Sequence, residues 1–208
     1  MIDYSKHTFR SPQYRSVVQS AVTFFEGTPV LGYPITTSFN GTGVYGIYYK
    51  GNYPLYKKFL EDNALEFKRP IYIGKAVPFG WRAARSNLSI NETVSLSGRL
   101  RQHERSIQSC QDLDIKDFKY RFVILNDEET DLIGTLESTL IRKYRPLWNS
   151  VIDGFGNHDP GKGRYNQAIS EWDVLHCGRS WAKKLSGSPP NLERIKEKIA
   201  KYFSLPFP

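Results

Sequence analysis

Glu137 stands where a helix should be apolar. At about 100° per residue, Leu132, Ile133, Leu136, Leu140, Ile141 and Tyr144 make one wide apolar stripe over 131–146, and Glu137 falls inside it, between Tyr144 and Ile141. A core-facing carboxylate is costly unless it is paired with a cation or bound to a metal, so Glu137 is either half of a structural ion pair or a metal ligand. The segment 95–110 repeats the anomaly. Its apolar line is Leu96, Leu100 and Ile107, with His103 about 20° from Leu96 and Arg99 about 60°, whereas Arg101 and Arg105 point elsewhere. Arg99 and His103 are thus an i,i+4 pair that offers a cation and a titratable imidazole at one edge of the core. The alternative is a satisfied structural histidine.

Two tyrosine-rich runs add hydroxyls. In GVYGIYY (43–49), alternation sends Tyr45, Ile47 and Tyr49 to one face and Val44, Gly46 and Tyr48 to the other. In PIYIGKA (70–76), Tyr72 and Gly74 oppose Ile71 and Ile73. Strand tyrosines are mostly packing residues with a wet hydroxyl, so by themselves Tyr45 and Tyr72 carry no chemistry.

The elements that must position these groups follow from local pattern. PQYRSVVQSAVTFFE (12–26) predicts a helix with Pro12 in its first turn and Gly27 as its stop, and the Pro- and Gly-punctuated run from 28 to 43 predicts a loop. Strands are predicted at 43–49, 70–76 and 119–126. Between the first two, Leu55, Phe59, Leu60 and Leu65 have helical spacing. Residues 77–94 form a basic segment that matches no regular pattern. Helices are expected at 95–110 and at 131–146, the latter stopped by Pro146. The tail begins with a glycine-rich loop, DGFGNHDPGKGR, continues through a partly helical SEWDVLHCGRSWAKKL, and ends in a helix at 191–203 with Asn191 as N-cap.

Composition bounds the class. Lys+Arg 29 against Asp+Glu 21 leaves a net charge of +8 over 208 residues, with 39% hydrophobic content. That supports one core and excludes disorder, collagen and coiled coil. The basic surplus favours a polyanionic partner without identifying one. No apolar run approaches the roughly 18 residues of a membrane span, and MIDYSKHTFR lacks the apolar stretch of a secretory signal, so the chain is expected to be cytoplasmic. Cys110 and Cys177 lack metal-site spacing and are expected to be free thiols.

Taken in order, Gly43-Val44-Tyr45, Tyr72-Ile73-Gly74, Arg99 with His103, Glu137 and Asn149 resemble the GIY-YIG nuclease superfamily. A literal GIY at 46–48 competes as the first motif; GVY at 43–45 is preferred. The wider context GTGVYGIYY, YIGKA, RLRQHERSI, LESTLIRKYRPLWN and DGFGNHDPGKGR resembles the type II restriction endonucleases that cut the palindrome CCGCGG. The resemblance implies an α/β (α+β) fold with a three-stranded antiparallel sheet flanked by helices. It implies one GIY-YIG domain over 1–208: a catalytic core at 40–150, an insertion at 50–69 that contacts DNA, and a 150–208 extension for DNA binding or dimerisation.

The resemblance also assigns roles. Glu137 would hold a single Mg²⁺, Arg99 the scissile phosphate, and Tyr45 would contact the attacking water as general base if nearby cations lower its pKa. Tyr72 would orient phosphate or water with Lys75 as an added cation, His103 would be the base or receive the proton from Tyr45, and Asn149 would hold the geometry through backbone hydrogen bonds. Guanine readout would fall to Lys57, Lys58, Arg82, Arg85, Lys162 or Arg164, with the surplus Lys and Arg of insertion and tail holding duplex DNA. Cutting both strands of a palindrome implies a homodimer on double-stranded DNA. A restriction enzyme further implies a cognate DNA methyltransferase in the same cell.

Overall fold

In the computed structural model, which describes residues 1–78, 81 and 95–207, the first long helix is α1 (Tyr14–Gly27), with Val22 and Phe25 turned inward. The stretch after it, expected to be loop throughout, contains a two-residue strand, β1 (Leu31–Gly32). Pro29 and Pro34 stand close on either side of it, and proline cannot donate to a ladder, so the strand stays short.

β2 (Gly43–Tyr49) pairs antiparallel with β3 (Pro70–Ala76) on one side and with β4 (Phe118–Ile124) on the other. The sheet among the described residues runs β1-β4-β2-β3. The expected three-stranded antiparallel core is therefore present, with β1 added as a fourth strand at the edge. Between β2 and β3 a 3-10 turn at Pro54–Tyr56 leads into α2 (Lys57–Asp62). This helix does not reach Leu65, which is exposed. Asn63 ends it by donating to the Tyr49 and Arg69 carbonyls while accepting from the Arg69 N–H, which closes the loop against β2.

The remaining helices are α3 (Ser95–Gln108), α4 (Leu132–Tyr144), α5 (Leu147–Ser150), α6 (Glu171–Leu175) and α7 (Leu192–Ser204). The Asn191 side chain accepts from the Arg194 N–H and caps α7. Alternation along β2 divides the core. Tyr45, Ile47 and Tyr49 join Leu96 and Leu100 of α3, Trp148 of α5, Trp172 of α6 and Ile195 of α7 on one face. Val44 joins Phe25 of α1 and Ile133, Leu136 and Leu140 of α4 on the other. Ile71 was expected opposite Tyr72, yet both lie in the first cluster. The β2–β3 register shifts between Ile47 and Tyr48, and such an irregularity moves side chains to the other face.

The insertion and tail are built into this core. Tyr56 and Phe59 are fully buried. Arg69, 2% exposed, pairs with Asp62 at 2.5 Å and sits against the rings of Phe59, Tyr202, Phe203 and Phe207. The expectation that surplus cations of insertion and tail face DNA therefore does not extend to Arg69. Arg82 and Arg85, with most of the basic segment 77–94, lie outside the described residues. Cys110 is buried, Cys177 is exposed, and neither is paired. Among the described residues no helix is long and apolar enough to cross a membrane.

Candidate active site

Tyr45 reaches across its cross-strand partner Gly74. A Cβ at Gly74 would lie 2.4 Å from the Tyr45 hydroxyl oxygen, so this crossing requires glycine. The hydroxyl meets Nε2 of His103, from the inner face of α3, at 2.7 Å. Tyr72 lies edge-on to the His103 ring with centroids 5.1 Å apart, and all three side chains are buried. Asn149 on α5 holds the strand beneath them. Its Oδ1 accepts from the Ile73 N–H and its Nδ2 donates to the Ile73 carbonyl, both at 2.8 Å. The competing phase of the first motif puts Tyr48 on the opposite face, with the Arg121 guanidinium 5.3 Å from its ring centre.

Around the tyrosines stand three charged groups. Lys75 Nζ donates to Glu137 Oε2 at 2.6 Å, with side-chain exposures of 33% and 18%. The ion-paired arrangement anticipated for Glu137 is therefore present, through one of its two oxygens. Arg99 Nη1 donates to Gln102 Oε1 at 2.7 Å and is also hydrogen-bonded to Nε2 of His158.

Electrostatics tie these groups together. Burial pushes the Tyr45 hydroxyl well above its ordinary pKa and the neighbouring Tyr72 adds to the rise, while Arg99 pulls it down and Glu137 opposes that. Burial likewise pushes Tyr72 up to about 12 against the pull of Arg99. Arg99 is the cation that the general-base role required, but desolvation outweighs it. His103 is held well below the ordinary histidine value, first by burial and then by Arg99, His158 and Arg179. Its imidazole is neutral at physiological pH.

His158 belongs to the glycine-rich loop, which folds back over the site. Phe155 stacks on His103 with centroids 4.5 Å apart and stands edge-on to Tyr72 at 4.9 Å. At Gly156 a Cβ would come within 2.7 Å of the Tyr72 hydroxyl. The loop is anchored by Arg179, 4% exposed. Its Nε and Nη2 donate to the two carboxylate oxygens of Asp173 at 2.6 and 2.5 Å, and Nη2 also donates to the Gly154 carbonyl at 2.9 Å. Nη1 donates to the Phe155 and Asn157 carbonyls, both at 3.2 Å. All five guanidinium hydrogens are thereby used, and the group is flanked by the Trp172 and Trp181 rings at 4.7 and 4.6 Å.

Between α3 and this loop opens a cleft of about 330 Å³ whose lining includes Arg99, His103, Arg105, His158, Arg179 and Trp181. Tyr45, Tyr72, Lys75 and Glu137 do not line it. Lys57, Lys58, Lys162 and Arg164 are exposed, and none of them lines it either. Phe155, His158, Asp173 and Arg179 escaped the sequence reasoning. The loop that holds His158 is visible in the sequence by its glycines, and the charges of Lys162 and Arg164 are what suggest a role there; the Asp173–Arg179 pair has no periodicity, its one signal being the flanking Trp172 and Trp181.

Comparison with known protein families matches residues 37–203 to the Eco29kI GIY-YIG domain. Comparison with curated proteins finds no match. The matched span runs from just before β2 to the last turn of α7 and so contains the whole constellation together with the anchored loop.

Proposed function

The chain belongs to the Eco29kI GIY-YIG domain family, a family of restriction endonucleases, and from that membership we propose that it hydrolyses one phosphodiester in each strand of a palindromic double-stranded DNA site, CCGCGG, as a Mg²⁺-dependent homodimer. The observation that carries the reading is the buried Tyr45–His103 hydrogen bond, 2.7 Å long, in a site that also contains Arg99 and Glu137. A cognate methyltransferase would protect the host's own sites.

Hydrolysis needs a positioned water, a path for its proton and a counter-charge for the pentavalent transition state. Arg99 binds the scissile phosphate through its guanidinium fork. Burial makes a free Tyr45 phenolate unfavourable, so the tyrosine is best used as a relay: its hydroxyl takes the proton of the attacking water while giving its own to His103 Nε2. The negative charge of the bound phosphate offsets the cations that depress His103, which makes the imidazole a better acceptor when substrate is present. Tyr72 donates a hydrogen bond to phosphate or water, Lys75 adds positive charge beside it, and Asn149 keeps β3 in place.

The donor set suits Mg²⁺. Among the described residues no group of three or more His, Cys, Asp or Glu could form a cage, whereas Mg²⁺ takes one or two carboxylates, keeps several waters and uses substrate phosphate oxygens. Glu137, partly exposed and paired through Oε2 only, is the residue that would hold it. The ion would supply charge neutralisation at the phosphate and leaving oxygen.

Incubation with plasmid DNA and Mg²⁺ is the test. Discrete fragments with ends inside CCGCGG are expected. A smear or branch-specific nicking would indicate another kind of nuclease, and a gel shift without cutting would indicate a binding module. Glu137→Ala should abolish cleavage while specific binding persists; near-normal turnover in that variant would sink the ligand role. Sedimentation of the protein on specific duplex should show two copies, and a single copy would overturn the dimer.

A further inference from the structure

Arg99 Nη1 is held by acceptors from two different elements, and the guanidinium also has a hydrogen-bonding contact with the Tyr45 hydroxyl of β2. Gln102 lies one turn further along the same helix, so its hydrogen bond moves with α3 and restrains the guanidinium little. His158 comes from the glycine-rich loop, whose carbonyls at Gly154, Phe155 and Asn157 are fastened to Arg179 and through it to Asp173. An arginine has no acceptor, so Nε2 of His158 must accept from Arg99 Nη1, and the neutral imidazole carries its proton on Nδ1. Both hydrogens of Nη1 are then taken, one by Gln102 and one by His158.

We propose that His158 is a positioning residue for the phosphate-binding guanidinium of Arg99, an inference that rests on the nuclease reading above. Two acceptors on one nitrogen, set on separate elements, fix both the plane and the rotation of the fork. With Nη1 filled, the contact to the Tyr45 hydroxyl falls to Nη2 or Nε, and the remaining N–H bonds of that edge are the ones that meet phosphate oxygens, beside the tyrosine. The anchored loop therefore transmits the rigidity of the Asp173–Arg179 pair to the group that must meet the transition state. A misplacement of about 1 Å in such a group costs on the order of 100-fold in rate, whereas ground-state binding, spread over many backbone contacts, changes little.

Single-turnover cleavage of a site-bearing duplex, measured beside metal-free binding of the same duplex, tests this. His158→Ala should slow cleavage about 10- to 100-fold with binding changed less than about threefold. His158→Gln, which presents an amide oxygen as acceptor, should recover most of the rate. In an Arg99→Lys background, where no planar fork exists to be oriented, His158→Ala should have little further effect. Cleavage by His158→Ala near the wild-type rate, a His158→Gln variant as slow as His158→Ala, equal losses of binding and cleavage, or a full additional loss in the Arg99→Lys background would each overturn the proposal. Nitrogen NMR of the free protein checks the contact without substrate: the Nδ1–H tautomer of His158 is expected, and the Nε2–H tautomer would refute it. A wild type that cuts no duplex yet shows the Nδ1–H tautomer overturns the nuclease reading, and with it the role of His158, while leaving the contact standing.

Discussion

Among the described residues two buried tyrosine–histidine pairs are hydrogen-bonded, and they are set in opposite electrostatic surroundings. Tyr45 meets His103 Nε2 at 2.7 Å, and Tyr56 meets His176 Nε2 at 2.5 Å. At the second pair, His176 Nδ1 donates to Asp112 at 2.7 Å and Trp148 Nε1 donates to the Tyr56 hydroxyl at 3.0 Å. Every polar atom there has a fixed partner: the carboxylate settles the tautomer, Nε2 accepts, and the hydroxyl both gives and receives. At the first pair the neighbours are Arg99, His158 and Arg179, which disfavour the imidazolium instead of supporting it. Burial depresses both histidines, but at His176 the Asp112 hydrogen bond and charge pull the value back up. A closed network with its own acid locks the insertion to the tail. On the proposed mechanism, a pair left among cations is the one that would respond to a phosphate anion.

This contrast is broken most forcefully by removing one oxygen atom. Tyr45→Phe should cut the single-turnover cleavage rate by about 10² to 10⁴-fold, the range for losing a proton-transfer group, while leaving the folded structure intact by circular dichroism. A Tyr45→Phe enzyme within a few-fold of wild type would show that the two pairs are both structural. The matching change at the other pair is smaller and of a different kind. Tyr56→Phe leaves the Trp148 N–H and His176 Nε2 without their buried partner, which costs about 1–3 kcal/mol of stability. Thermal denaturation should register it as a Tm lower by several degrees, with the cleavage rate of the folded protein essentially unchanged. A loss of rate without a loss of stability in Tyr56→Phe would reverse the assignment.

The two pairs also differ in how visible they are in the sequence. His103 is legible because it breaks a helical stripe with Arg99 one turn away, and Glu137 for the same reason on α4: periodicity exposes a polar residue that faces a core. The strands at 43–49 and 70–76 came from runs of valine, isoleucine and tyrosine closed by turn residues. His176 breaks no pattern, because α6 ends at Leu175 and the histidine is its C-cap. Its partners lie 64 and 120 residues away, so only the packed fold brings them together. β1 has two residues, too few for any period. The charge surplus misled in one respect, since composition cannot tell the solvated cations of α2 from the buried Arg69 and Arg179.

The smallest effect that separates the pairs is in the pH dependence of stability. A histidine with a folded pKa below its unfolded value of about 6.5 is neutral in the native state while the unfolded chain takes up a proton as the pH falls. Its contribution is thus fully present above pH 6.5 and is lost as the pH falls from there toward the depressed native value, at up to about 1.4 kcal/mol per pH unit. Both His103 and His176 act with this sign. His103 has the deeper depression, because cations add to its desolvation where Asp112 offsets that of His176. His158 acts in the same direction but is common to both variants and cancels in the comparison. Asp112, itself depressed below the usual aspartate value, releases its contribution only below about pH 4. Denaturant unfolding between pH 7 and pH 5 should therefore show a shallower acid loss in His103→Gln than in His176→Gln. The reverse ranking would mean that the cations around Arg99 do not govern the first pair, and would remove the electrostatic basis for treating it as the responsive one.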